Sequence, residues 1–144
     1  MKQFLLAFLL MSVSGLGACD MKRGAQVPSH VAEFAVATSE YPELMAELDS
    51  TAASFELKRI GAAPGLNELH GREVLFAAYE VQDRKERRGA LTVTDIKAPG
   101  RVLLRVYEDG FADSDQRTRF VAEVADVISR FGGTLSKSDS DKQP

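Results

Sequence analysis

The sequence reads as an α+β fold, an antiparallel sheet of three to four strands with helices packed on one face. Three observations lead there. Phe120, Val121, Val124, Val127, Ile128 and Phe131 make one apolar stripe while Glu123, Asp126, Ser129 and Arg130 fall opposite, the period of an amphipathic helix. Tyr41, Leu44, Leu48, Ala52 and Phe55 make a second stripe, with Glu43, Glu47 and Ser50 off it. Residues 90–96 and 101–108 are β-rich runs separated by KAPG, and in the second Val102, Leu104 and Val106 alternate with Arg101, Arg105 and Tyr107. Each helix has one face to bury, and so has the hairpin; helices laid over one side of a sheet satisfy both.

The remaining elements follow in chain order. At 144 residues, 44% hydrophobic and 27% charged, the chain is suited to one domain, expected over residues 30–133. In residues 30–38, Val31, Phe34, Ala35 and Thr38 stand at helical spacing, which favours a helix over the strand that the β-branched residues also allow. A helix over 39–53 follows, with Ser39 as candidate cap and Pro42 tolerated in its first turn. Residues 55–60 alternate in part and suit a strand before the breaker GAAPG at 61–65. Residues 74–81, VLFAAYEV, are apolar on both faces, as in a central strand. The charged turn DRKERRG at 83–89 leads into the hairpin. Asp113 is the expected N-cap of the last helix with Gln116 at N3; Arg130 suits its negative end, and Gly132 stops it. Residues 134–144 have little to bury and are expected to be disordered.

The first 18 residues have the order of an export signal: Lys2, the apolar run FLLAFLLM at 4–11, then small residues up to Ala18. The apolar run is shorter than the ~20 residues that span a bilayer as a helix. The stretch Leu16-Gly17-Ala18-Cys19 resembles the lipobox of bacterial lipoproteins. That resemblance implies cleavage between Ala18 and Cys19, a lipid on the Cys19 sulfur and acylation of the new amino terminus. Two or three acyl chains, at ~0.8 kcal/mol per buried methylene, anchor a protein to a membrane almost irreversibly. Asp20 resembles the inner-membrane retention signal of enteric lipoproteins, which favours the inner membrane over the outer; it also suits the first solvated residue of a tether. Residues 19–29 then read as a flexible tether holding the domain on the periplasmic side.

Composition limits the chemistry. The single cysteine allows no intrachain disulfide and no cysteine-based zinc cluster, and no cofactor is expected. Setting aside residues 1–18, where Lys2 is the only charge, leaves 17 of the 18 basic residues against 21 acidic ones, a formal −4. That balance is no electrostatic footprint for nucleic acid. No H-E-x-x-H, G-x-S-x-G or G-K-[ST] motif is present. His70, beside Glu68 and Glu73 in NELHGRE, is the one acid/base candidate, although a loop histidine near carboxylates is usually just solvated. His30 is weaker still. EDGFADSD, at 108–115, gathers four carboxylates without EF-hand spacing, and a strand end followed by a helix cap accounts for them. Arg84, Lys85, Arg87 and Arg88 could meet anionic lipid or an acidic partner, but also suit a solvated hairpin tip.

The candidate binding face is Arg101, Leu103, Arg105 and Tyr107, a mixture of cationic and apolar side chains on one side of a strand. The leading expectation is a noncatalytic envelope lipoprotein that presents its domain to a protein partner, as an assembly factor, inhibitor or immunity-type protector. The alternatives are an envelope enzyme using His70 with Glu68 or Glu73, and a carrier of a small apolar ligand held between sheet and helices.

Overall fold

The computed structural model describes residues 26–60, 66–69, 71–82 and 87–139. Its strands are β1 (His30–Ala35), β2 (Lys58–Ile60), β3 (Leu66–Leu69), β4 (Arg72–Gln82), β5 (Arg87–Ala98), β6 (Arg101–Val106) and β7 (Ser136–Lys137). Two α-helices, α1 (Tyr41–Ser54) and α2 (Ser114–Arg130), accompany them. Six strands form one antiparallel sheet in the order β2-β4-β5-β6-β1-β7, and β3 pairs with β4 besides. The α+β class is therefore as expected, but the sheet is wider than three to four strands.

Two segments account for much of the extra width. Residues 30–35 form a strand, not a helix, and pair with β6 from His30↔Val106 to Ala35↔Arg101. In so short a piece the helical spacing coexists with an alternation, and the alternation is what the structure uses: Ala32, Phe34 and Val36 are buried while Glu33 and Ala35 are exposed. The second segment lies in the tail expected to be disordered. Ser136 and Lys137 pair with Val31 and His30, and the Ser138 amide donates to the Ser29 carbonyl at 2.8 Å. Backbone groups make these bonds, so a polar tail serves as well as an apolar one, and part of the β1 edge is closed.

The hairpin β5–β6 closes at Ala98↔Arg101 through Pro99 and Gly100, whose φ of +80° is a conformation that side chains with a Cβ rarely adopt. Helix α2 is capped as its sequence indicates: Asp113 Oδ1 accepts from the amides of Asp115 (2.7 Å) and Gln116 (3.3 Å). Ser39 is not the cap of α1. A 3-10 turn, Thr38–Glu40, precedes the helix, and the Glu40 carboxylate reaches back to the Ala37 amide at 3.2 Å. Pro42 does sit in the first turn of α1, where its missing N–H has no partner to lose.

Both helices cover the same side of the sheet. Leu44, Met45 and Leu48 of α1 and Phe120, Val124 and Ile128 of α2 are fully or almost fully buried against Ala77, Leu91, Val93, Val102 and Leu104. Phe120 stands edge-on to Phe55 at 5.1 Å and tilted to Phe111 at 4.9 Å, so a three-ring cluster locks α2 to the end of α1.

Candidate functional site

Residues directly opposite one another in an antiparallel sheet point to the same side, so the register sorts the side chains into two faces. Ala77, Val93, Leu104 and Ala32 form one line across β4, β5, β6 and β1, and all four are buried under the helices. The adjacent line, Phe76, Thr94, Leu103 and Glu33, points the other way. A parallel outward line runs Ile60, Ala78, Thr92, Arg105 and Val31, and a shorter one Ala98, Arg101 and Ala35. Neither α-helix covers this side. The helices hold the opposite one, where Asp49 of α1 meets Tyr79 and Gly133, just beyond α2, lies against Phe34.

The open face has two halves. Toward β2 and β4 it is apolar: Ile60 is 40% exposed, Phe76 45% and Ile96, two residues beyond Thr94, 56%. These are three of the four large exposed hydrophobic residues among the described residues. Toward β6 and β1 it is charged. Arg101 donates to Glu33, and Lys97 stands 3.5 Å from the same carboxylate. The Arg101 hydrogen bond, helped by the Arg101 and Lys97 charges, holds the exposed Glu33 carboxyl below the usual carboxylate range. Arg105 has no ion-pair partner among the described residues. A shallow depression of about 470 Å³ opens at the rim, lined by Glu33, Phe34, Ala35, Pro99, Gly100 and Arg101.

The sequence-derived face is thus brought together for Arg101, Leu103 and Arg105, which occupy three successive outward lines. Leu103 is only 8% exposed, so it forms the floor of the face rather than its contact surface. Tyr107 follows the strand, half-buried, with its amide donating to the Ala90 carbonyl at 2.9 Å. Sequence reading missed Ile60, Phe76 and Ile96. The available signal was VLFAAYEV, whose second apolar face implies either a second covering layer or an exposed surface; the structure leaves Phe76 exposed.

Two carboxylates, the buried Asp95 and the part-exposed Asp49, tie α1 to the sheet in mirrored fashion. Asp95 of β5 accepts from the Tyr41 hydroxyl and the Leu75 amide, each at 2.8 Å, and the Tyr41 oxygen accepts from the Gly100 amide at 2.7 Å. Arg72 brackets this group, with Nη1 3.8 Å from Asp95 and Nη2 donating to the carbonyls of Asp95 and Ile96. Asp49 of α1 accepts from the Tyr79 hydroxyl at 2.6 Å and from Arg59 at 3.0 Å. Burial, with the Asp95 hydrogen bond second, pushes the Tyr41 phenol up to about 12, and burial likewise raises that of Tyr79. Both tyrosines therefore stay protonated donors at neutral pH and act as struts between the layers.

The histidine candidates fare differently. Ser29 Oγ and Glu108 Oε1 lie 3.1 and 3.5 Å from Nδ1 of His30, so both compete for one ring nitrogen and no relay through the two nitrogens forms. His70 lies outside the described residues; Glu68 and Glu73 face each other across β3 and β4, both exposed. Among the described residues no group of three or more His, Cys, Asp or Glu side chains could hold a metal ion. Asp113, within the acidic stretch, is committed to the helix cap. Ala18, Cys19, Asp20, Arg84 and Lys85 lie outside the described residues. The exposed Arg88 donates to the Asp109 carbonyl at 3.4 Å.

No protein-family model, curated protein or solved structure matches the chain. The functional reading accordingly rests on the open face and on the N-terminal motif.

Proposed function

We propose that the chain is a lipid-anchored protein of the bacterial envelope that binds a protein partner through the open face of its sheet. The observation that carries the binding role is the group of part-exposed apolar side chains Ile60, Phe76 and Ile96 on the same side of the sheet as Arg101 and Arg105, away from the helices. A surface that joins half-exposed apolar side chains to arginines is the composition favoured at the centres of protein interfaces. The anchoring role comes from Leu16-Gly17-Ala18-Cys19, with attachment at Cys19 after cleavage behind Ala18. Among the described residues no helix is long and apolar enough to cross a membrane. The domain faces the periplasm on its 19–29 tether, and Asp20 favours retention at the inner membrane. The binding module needs no catalytic set and no cofactor.

Two measurements test this. Growth with a radiolabelled fatty acid labels the wild type and not Cys19→Ser; label on the variant sinks the anchor. A photo-activatable residue at position 76 cross-links to one discrete envelope protein, whereas the same residue at Glu123 on α2 does not. Equal patterns from both positions remove the open face as the site.

A further inference from the structure

We infer that the β1 edge at Glu33 and Ala35 takes an extended peptide of another protein as an added antiparallel strand, with a large apolar side chain seated opposite Ala35. The inference goes beyond the open-face reading, because it concerns the rim of the sheet and a backbone ligand. Unpaired backbone groups point to it. Successive residues of an antiparallel strand aim their N–H and C=O at alternate edges. The Val36 amide donates to the Gly100 carbonyl at 2.9 Å, toward the β5–β6 hairpin, so Ala32 and Phe34 bond β6 while Val31, Glu33 and Ala35 aim the other way. On that other side β7 takes only His30 and Val31. No backbone bond among the described residues reaches Glu33 or Ala35 from there, and both residues are exposed. The connection behind α2 does not pair with them: Gly133 lies against the Phe34 ring on the covered side and donates its amide to the Ile128 carbonyl at 2.8 Å.

The N–H and C=O groups of Glu33 and Ala35, side by side on one edge, are complemented by the backbone of an extended chain, and β7 shows that this edge accepts a strand. The far edge of the sheet is blunted, since β2 is 3 residues long and carries Lys58 and Arg59. The β1 stretch has neither lysine nor proline, and the charge of Glu33 is already met by Arg101 and Lys97. Both ends of the described chain lie at the opposite end of β1, where Gln26 is hydrogen-bonded to Gly89 and the Ser138 amide to the Ser29 carbonyl. This favours an occupant from another molecule. In antiparallel pairing, a peptide residue opposite Ala35 extends the outward line Ala98, Arg101 and Ala35. The small Ala35 side chain leaves that line low, and the depression of about 470 Å³ opens there between Pro99 and the Arg101–Glu33 pair. A leucine-sized side chain fits it and loses its apolar area to Ala35 and Pro99. Beyond Glu33 the added strand meets β7, so the pairing spans about three peptide residues and about four hydrogen bonds.

The test uses the full chain in nanodiscs of zwitterionic lipid and end-capped peptides of about seven residues, roughly 23 Å when extended. They alternate threonine with valine and carry leucine, glutamate or lysine at the centre. Amide hydrogen exchange, read by NMR, is expected to slow about tenfold at Glu33 and Ala35 when about nine-tenths of the chain is bound to the leucine peptide. Ala32 and Phe34, already bonded to β6, stay unchanged. The glutamate and lysine peptides bind about tenfold more weakly. N-methylation of the leucine amide also weakens binding about tenfold, whereas N-methylation of the next residue, whose amide points away from β1, leaves it unchanged. Ala35→Pro removes the edge N–H without touching the β6 ladder and abolishes the slowing at Glu33. If that variant loses protection at Ala32 and Phe34, the two N-methylated peptides decide. Unaltered exchange at Glu33 and Ala35 with every peptide overturns the inference, as does equal weakening by the two N-methyl groups. Slowing that appears with rising protein concentration alone assigns the edge to a second copy and also overturns it. Cross-linking from position 76 in the envelope judges the open-face reading separately.

Discussion

On the helix side of the sheet, Ala77, Val93 and Leu104 are wholly buried; one residue along the same strands, Phe76 is 45% exposed and Arg105 stands half-exposed. The same backbone supports both, so the difference comes entirely from what lies above each face. Helices α1 and α2 remove water from one side and turn apolar area into stability, at about 25 cal/mol per Å². Ile60, Phe76 and Ile96 keep 40%, 45% and 56% of their surface in water. That exposed part contributes to stability only when another surface arrives. A two-layer domain of this kind divides its strands between holding the fold and presenting a surface, and the two tasks differ in how they respond to substitution.

Substitutions graded along that division break or sharpen the contrast. The largest effect belongs to the covered side: Phe120→Ala removes the central ring of the aromatic cluster and is expected to cost about 4 kcal/mol in urea denaturation. A cost near that of a surface substitution would mean that the cluster does not anchor α2. Asp95→Ala comes next, at roughly 3 kcal/mol, because it leaves the buried Tyr41 hydroxyl and Leu75 amide without their acceptor. The Tyr41 strut also sets an alkaline limit. Its phenol titrates near 10 when unfolded and at about 12 when folded, so the folded state holds the proton more tightly. The resulting stability is complete below pH 10 and is lost as pH rises from 10 through 12. Denaturation midpoints across that range should fall less steeply in Tyr41→Phe than in wild type.

Smaller still is Asp113→Ala, expected to cost about 1 kcal/mol by uncapping the amides of Asp115 and Gln116. The smallest effect on stability belongs to the open face. Ile96→Ser, at a side chain 56% exposed, is expected to move the free energy of unfolding by no more than about 0.5 kcal/mol while weakening cross-linking from position 76. A large stability loss there would show that the open side is covered in the isolated protein, and the contrast between the faces would disappear.

The elements legible in the sequence were those whose signals are local. Helix α2 carries a long stripe, a cap at Asp113 and Gly132 at its end with φ of +78°, and each is independent of the rest of the chain. The β5–β6 hairpin announces itself through alternation around KAPG. Strand β1 was not legible, since six residues fit a helical and a two-residue period alike, and pairing with β6 selects between them. Strand β7 has no side-chain signature because its bonds are made by backbone groups. The cationic half of the candidate face could be read from Arg101 and Arg105 within one strand. Its apolar half is assembled from β2, β4 and β5, which only the register aligns.

By itself, then, the sequence determined which segments are amphipathic, where helix α2 starts and stops, and the lipobox-like Leu16-Gly17-Ala18-Cys19. Tertiary structure alone decided which face of β4 would be dry. Alternation shows that Phe76 and Ala77 point oppositely, but with both faces apolar it does not indicate which one the helices cover. That depends on how the connections carry α1 and α2 across the sheet and on whether Asp49 and Asp95 meet their tyrosines. Those contacts join residues 30 and 54 positions apart. No local pattern contains them, because the free energy that selects the covered face is gained only when the distant layers close together.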